Sequence, residues 1–229
     1  MIFRQLIHRD TSTYTYLIGG ETRAALIDPV AEDLDKYVQL LDELGLTLAY
    51  GIDTHVHADH VTALGGLRDC TGCVTVMGHP ARAQCVSQTI ADGDVIEVDD
   101  GVSLRAMHTP GHTDDSYVFV LGDRVLTGDT LLIRGTGRTD FQNGDAATQY
   151  RSLFDKVLRL PPDTRVYPGH DYRGFTESTI AEELAHNPRL QVESQDAYVA
   201  LMNALRLPSP RHMDIAVPAN LRCGKTSPS

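Results

Sequence analysis

The chain has 229 residues, 41% hydrophobic and 22% charged, a globular composition long enough to bury a core without covalent staples. Its formal net charge of -11 excludes the basic face that nucleic acid requires and disfavours an anionic membrane surface. No apolar run nears the roughly 20 residues of a bilayer span, and the start "MIFRQLIHRD" lacks the apolar core and cleavage site of a leader, so neither is expected.

Taken in chain order, "TYTYLI" (13–18) and "AALID" (24–28) read as strands, closed by Gly19-Gly20 and Asp28-Pro29. Residues 31–44 place Leu34, Tyr37, Val38, Leu41 and Leu44 at helical spacing, with Gly45 as a stop. A strand over 46–54 runs directly into the polar stretch "DTHVHADH" (53–60), and a short helix is predicted over 61–69. The middle is strand-rich, with runs at 73–78, 94–100, 102–109, 116–122 and 124–129, and Gly122-Asp123 marks a hairpin. Helices are predicted over 145–160, 176–186 and 195–205, with a strand over 164–169 between the first two. From Pro208 the proline-rich, polar tail reads as a surface wrap. Without repeats or linkers, one domain over 1–229 is the economical reading. Two blocks of strands, each followed by helices, suggest an α/β protein with two packed sheets.

Four cysteines, Cys70, Cys73, Cys85 and Cys223, are too few for a disulfide scaffold. The single C-x-x-C has no second pair with which to close a zinc site. Reduced thiols of a cytoplasmic protein are therefore expected.

The polar stretch carries chemistry. On an extended segment His55 and His57 share a face, while Asp59 and His60, opening the next helix, approach the same point from the other side. Three more candidates end strands after glycine: His112 in "TPGHTDD", Asp129 in "LTGDT" and His170 in "YPGH". Ligands on loops at strand ends, distant in sequence, suit a metal cleft. His8, His79, His108, His186 and His212 have no such setting and read as ordinary surface groups.

The order H-x-H-x-D-H, strand-end His, Asp in "TGD" and late "GH" resembles the metallo-β-lactamase superfamily. That resemblance implies an αββα sandwich with metal at one edge. Three further stretches, "LLIRGTGRTDFQNGD" (131–145), "YPGHDYRGFT" (167–176) and "DIAVPANLRCG" (214–224), are similar to the persulfide dioxygenases, and the likeness runs from "IDPV" (27–30) to the tail. Two positions depart from the family pattern: Thr136, where some members carry cysteine, and Asp114-Asp115, where many carry Pro-Gly.

The resemblance implies one iron(II) per chain, held by His55, His112 and Asp129, with His57, Asp59, His60 and His170 orienting those ligands from behind. Two imidazoles and one carboxylate leave positions open for a sulfur and for O2, as a closed four-ligand site would not. The implied substrate is glutathione persulfide, oxidised with O2 and water to sulfite and glutathione. Arg138 resembles the cation that related glutathione-thioester hydrolases set against a substrate carboxylate, a task suited to the guanidinium fork. Tyr172 and Arg222 are the other candidates for holding the tripeptide. The competing reading is a glyoxalase II-like hydrolase with two metals, since all seven ligand positions are filled; a non-catalytic metal protein is a third. The oligomeric state stays open, with a homodimer one option.

Overall fold

The structure, a computed structural model, describes residues 1–208 and 212–225. The first part of the chain forms a six-stranded sheet whose members lie side by side in chain order: β1 (Ile2–His8), β2 (Thr13–Gly19), β3 (Arg23–Ile27), β4 (Thr47–Ile52), β5 (Val74–Gly78) and β6 (Gln88–Ile90). The first three pair antiparallel and β3 to β6 pair parallel. Parallel pairs need crossovers, supplied here by α1 (Leu34–Leu44) and α2 (Leu64–Thr71). The second sheet holds β7 (Val95–Asp99), β8 (Val102–His108), β9 (Tyr117–Leu121), β10 (Arg124–Gly128), β11 (Arg165–Pro168) and β12 (Ser178–Thr179), again ordered along the chain. Helices α3 (Ala146–Arg151), α4 (Ile180–His186), α5 (Gln195–Ala204) and α6 (Met213–Asn220) complete the described residues.

Alternation along the strands decides the layers. In β2, Tyr16 and Ile18 point between the sheets, where they meet Leu104, Phe119 and Leu126 of the opposite sheet. Leu17 points the other way, against Tyr37, Leu41 and Leu67 of α1 and α2. In the second sheet, Val118, Val125 and Val166 face Leu153, Ile180, Tyr198 and Met202. Each sheet is thus covered on both faces, which explains the nearly continuous apolar runs, and the architecture is the expected αββα sandwich. Full burial of each such side chain contributes about 1.5–3 kcal/mol.

Several boundaries move. The predicted helix over 61–69 begins only at Leu64, so Asp59 and His60 lie in the loop before it. The predicted 145–160 helix is α3 followed by a wider turn over Ser152–Lys156 and a tighter one over Val157–Arg159. Residues 178–179 form an edge strand, and α4 starts where Thr179 caps it by accepting from the Glu182 amide at 3.1 Å. The strands β1 and β6 come without a sequence-based expectation. So does α6: the stretch read as a surface wrap buries Ala216, Ala219, Asn220 and Cys223. Residues 209–211 and 226–229 of that tail lie outside the described ones.

The expectation of four reduced cysteines is corrected. Cys85 and Cys223 form a disulfide across 138 residues, with Cα atoms 5.8 Å apart, while Cys70 and Cys73 are free. The two partners are too distant in sequence for spacing to announce the pair.

Candidate metal centre

The carboxyl ends of β4, β10 and β11 open at one edge, where main-chain bonds tie the end of β4 to the start of β9 and the end of β10 to that of β11. Tyr117 N donates to Thr54 O at 2.9 Å, and Gly169 N donates to Gly128 O at 2.8 Å. Gly128 has φ +46, and a Cβ there would lie 2.7 Å from Thr54 Oγ1, so only glycine lets β10 pass the metal loop and deliver Asp129.

The loop itself hangs on buried acceptors. Asp28, at the end of β3, accepts from Thr54 N at 2.7 Å and from Thr54 Oγ1 at 3.0 Å. Asp115 accepts from Val56 N at 2.8 Å. From the far side, Asn220 of α6 donates to His57 O and His60 O, and accepts from Thr62 N, each at 2.9 Å.

His55, His112 and Asp129 converge, with one ligand atom of each within 4.8 Å of the others. His55 Nδ1 donates to Thr54 Oγ1 at 2.9 Å, since that hydroxyl spends its own proton on Asp28. His112 Nδ1 donates to Arg138 O at 2.7 Å. Each donation fixes the tautomer that leaves Nε2 with its lone pair, the arrangement ligating imidazoles adopt. Burial, then the neighbouring His57 and His112, push the His55 pKa well down, so the ring is neutral and able to ligate. Burial resists charge on Asp129, but His170, by its charge and its hydrogen bond, outweighs it and holds the carboxyl well below its usual range. The donor set fits a metal.

The other superfamily positions are arranged differently. His170 uses both nitrogens on carboxylates, Nδ1 to Asp129 Oδ1 at 2.7 Å and Nε2 to Asp59 Oδ2 at 2.8 Å. Burial opposes its charge, yet Asp129 and Asp59 raise its pKa well above that of a free histidine. An imidazolium donating twice has no lone pair for a metal. Asp59 Oδ2 also accepts from His60 Nδ1 at 3.0 Å. His57 Nε2 donates to Asp28 Oδ1 at 3.1 Å; burial works against its charge, but Asp28 carries the pKa up to about 9. His57, Asp59 and His60 form a second cluster with ligand atoms within 4.8 Å. Buried His57 Nδ1 and His60 Nε2 have no partner among the described residues.

The substrate candidates sit unequally. Arg138 makes a fork onto Asp140, with Nε to Oδ1 at 2.6 Å and a terminal nitrogen to Oδ2 at 2.8 Å, and lies over the Phe141 ring at 4.4 Å. Tyr172 is 73% exposed and stacks on His170, ring centres 6.1 Å apart. Arg222 is exposed just past α6. Sequence reasoning missed Asp28, Thr54, Asp115 and Asn220. An acidic residue closing the apolar strand "AALID", and an asparagine within "VPANLRCG", were the available signals.

The chain matches the metallo-beta-lactamase superfamily over residues 8–85 and 86–170. It is 46% identical to the human mitochondrial persulfide dioxygenase ETHE1 over 234 aligned residues, covering 100% of this chain and 91% of that one. The crystal structure of ETHE1 from Myxococcus xanthus superposes with a TM-score of 0.95 at 51% identity, over 98% of this chain and 100% of that one. A more distant protein, TTHA1623, solved in a di-iron-bound form, aligns at TM-score 0.69 and 25% identity over 81% of this chain and 98% of that one. The chain belongs to the persulfide dioxygenase family of the metallo-β-lactamase superfamily, and its site is a metal centre. Among the described residues, no helix is long and apolar enough to cross a membrane.

Proposed function

We infer that the chain is an oxidoreductase, a persulfide dioxygenase that converts glutathione persulfide, O2 and water to sulfite and glutathione at one iron(II) held by His55, His112 and Asp129. The observation that carries this reading is the division of labour among the histidines. His55 and His112 have Nδ1 committed and converge with Asp129, His112 Nε2 lying 3.6 Å from its carboxylate, whereas His170 has committed both nitrogens. Three protein donors leave coordination positions for two reactants side by side. Bound there, iron would supply the one-electron chemistry toward O2 that zinc lacks.

The chain's own residues prepare that chemistry. Thr54 and the Arg138 carbonyl hold the two imidazoles in register, and His170 keeps protons at Nδ1 and Nε2, steadying Asp129 between its neighbours. Arg138 would exchange its exposed partner Asp140 for a carboxylate of the tripeptide through the same two parallel bonds. Tyr172, standing over His170, would bond the substrate's peptide backbone, and Arg222 is the third contact proposed. The compartment proposed is the cytoplasm, whose glutathione pool would supply the substrate.

The second reading, a binuclear glutathione-thioester hydrolase, is favoured by His57 Nδ1 and His60 Nε2, buried beside Asp59 without partners among the described residues. Metal content and product separate the two. Protein from iron-rich medium should hold close to one iron per chain and form sulfite from glutathione persulfide. Two ions per chain, one lost in His170→Ala, would favour the hydrolase.

A further inference from the structure

The disulfide lies behind the metal loop rather than in the catalytic opening. Cys223 follows Asn220 by three residues, and Asn220 alone ties the carbonyls of His57 and His60 to the Thr62 amide. Cys223 is 1% exposed and belongs to the same buried apolar cluster as Leu64, Met77, Ala81 and Val56, the residue between His55 and His57. Its carbonyl accepts from Gly65 N at 2.9 Å, and a Cβ on Gly65 would come within 2.5 Å of that oxygen. The chain's last described segment is pressed onto the beginning of α2.

Non-covalent contacts hold the rest of that segment, chiefly the Asn220 hydrogen bonds and the buried Ala216 and Ala219. Helix α6 has eight residues with Pro218 inside it, too short to be stable unless docked. Its covalent tether is the bond to Cys85, which sits half-buried in the irregular stretch between β5 and β6.

We propose that Cys85–Cys223 is a redox modification site, opened by a low-mass thiol, whose opening loosens the Asn220 clamp on the metal loop. The proposal rests on the metal reading above only for its consequence, not for its chemistry. A thiolate attacks the more accessible sulfur, Cys85 Sγ; the S–S bond breaks, and the electron pair leaves on Cys223 Sγ, which takes a proton from water. A second thiolate displaces the mixed disulfide, releasing the oxidised low-mass disulfide and leaving Cys85 as a thiol. The two electrons come from the two thiols. Glutathione, a product of the proposed reaction, belongs to this class.

The test begins with peptide mapping of unreduced protein, which should yield the 85–223 cross-linked pair. Metal-loaded protein is then titrated with glutathione and with dithiothreitol. Hydrogen exchange is read over residues 55–65 and 213–225, and metal release to a chelator is timed. Reduction should speed exchange in both segments and speed metal release about tenfold or more, in the range that loss of supporting contacts produces. Cys85→Ser and Cys85→Ala should behave as the reduced protein and ignore the reductant, while Cys70→Ser should respond as the parent does. Absence of the cross-linked peptide would overturn the proposal. So would exchange over 55–65 and metal release that do not change on reduction. Exchange is read whether or not the protein oxidises persulfides, so failure here and failure of the dioxygenase reading are separate results.

Discussion

Replacing Asn220 by alanine should destabilise the protein without removing a candidate ligand. The side chain is fully buried and makes three hydrogen bonds of 2.9 Å, to His57 O, His60 O and Thr62 N. Truncation strands two carbonyls and one amide, each costing about 1–3 kcal/mol when left unpaired in the interior. Allowing a water to enter the vacated space and satisfy part of the set, roughly 3–5 kcal/mol remains. In a chain of this size each 1 kcal/mol lowers the melting midpoint by about 2–4 °C, so a fall of roughly 6–20 °C is expected. The melt should be run on metal-free protein, since bound metal adds its own stabilisation. Asn220→Asp should do no better: it keeps an acceptor for Thr62 N but sets an anionic oxygen against two carbonyl oxygens. A midpoint within about 2 °C of the parent for Asn220→Ala would refute the clamp and the reasoning from it.

Three further outcomes follow from the site. Arg138→Ala should raise KM for glutathione persulfide tenfold to a hundredfold, the loss of a charge-assisted contact worth roughly 1.5–3 kcal/mol, with metal content unchanged because His112 is held by the carbonyl of residue 138; unchanged KM with lost metal would make Arg138 structural. Thr54→Val removes the hydroxyl between Asp28 and His55 Nδ1, and metal affinity measured by chelator competition should fall about 10–100-fold while the fold persists. Burial raises the Asp53 carboxyl from 3.8 to about 7, so between those values the unfolded chain releases a proton that the folded chain keeps, and stability falls as pH rises through the window; Asp53→Asn should flatten that decline in denaturant titrations of metal-free protein, and an unaltered slope would assign the decline elsewhere.

The sandwich and the convergence of His55, His112 and Asp129 were legible because both rest on local pattern. Strands buried on two faces read as apolar runs, and each candidate ligand follows a strand end that the sequence marks with glycine or a polar cluster. What escaped depends on distant partners. Strand β1 has a half-buried, irregular pattern that becomes a strand only beside β2. Strand β12 has two residues and exists through β11. Helix α6 carries a proline in its interior and is kept helical by docking, so composition suggested a wrap. Residues 59–60 face the site from a loop rather than a helix, because Asn220, 160 positions beyond His60, holds the flanking backbone at His57 O, His60 O and Thr62 N. Asp28 illustrates the same limit: Asp28-Pro29 reads as a turn, and only the fold shows that its carboxylate organises Thr54 and His57.

Reaction class is tested most directly by exchanging the metal. Matched iron-loaded and zinc-loaded protein would be given glutathione persulfide and, separately, a glutathione thioester, followed with an oxygen electrode and a sulfite assay. Zinc has no accessible redox change, so a dioxygenase keeps its fold with zinc but loses oxygen uptake. Oxygen consumption and sulfite formation should occur with iron and persulfide alone. Thioester turnover by the zinc form, with no oxygen uptake by the iron form, would contradict the assignment.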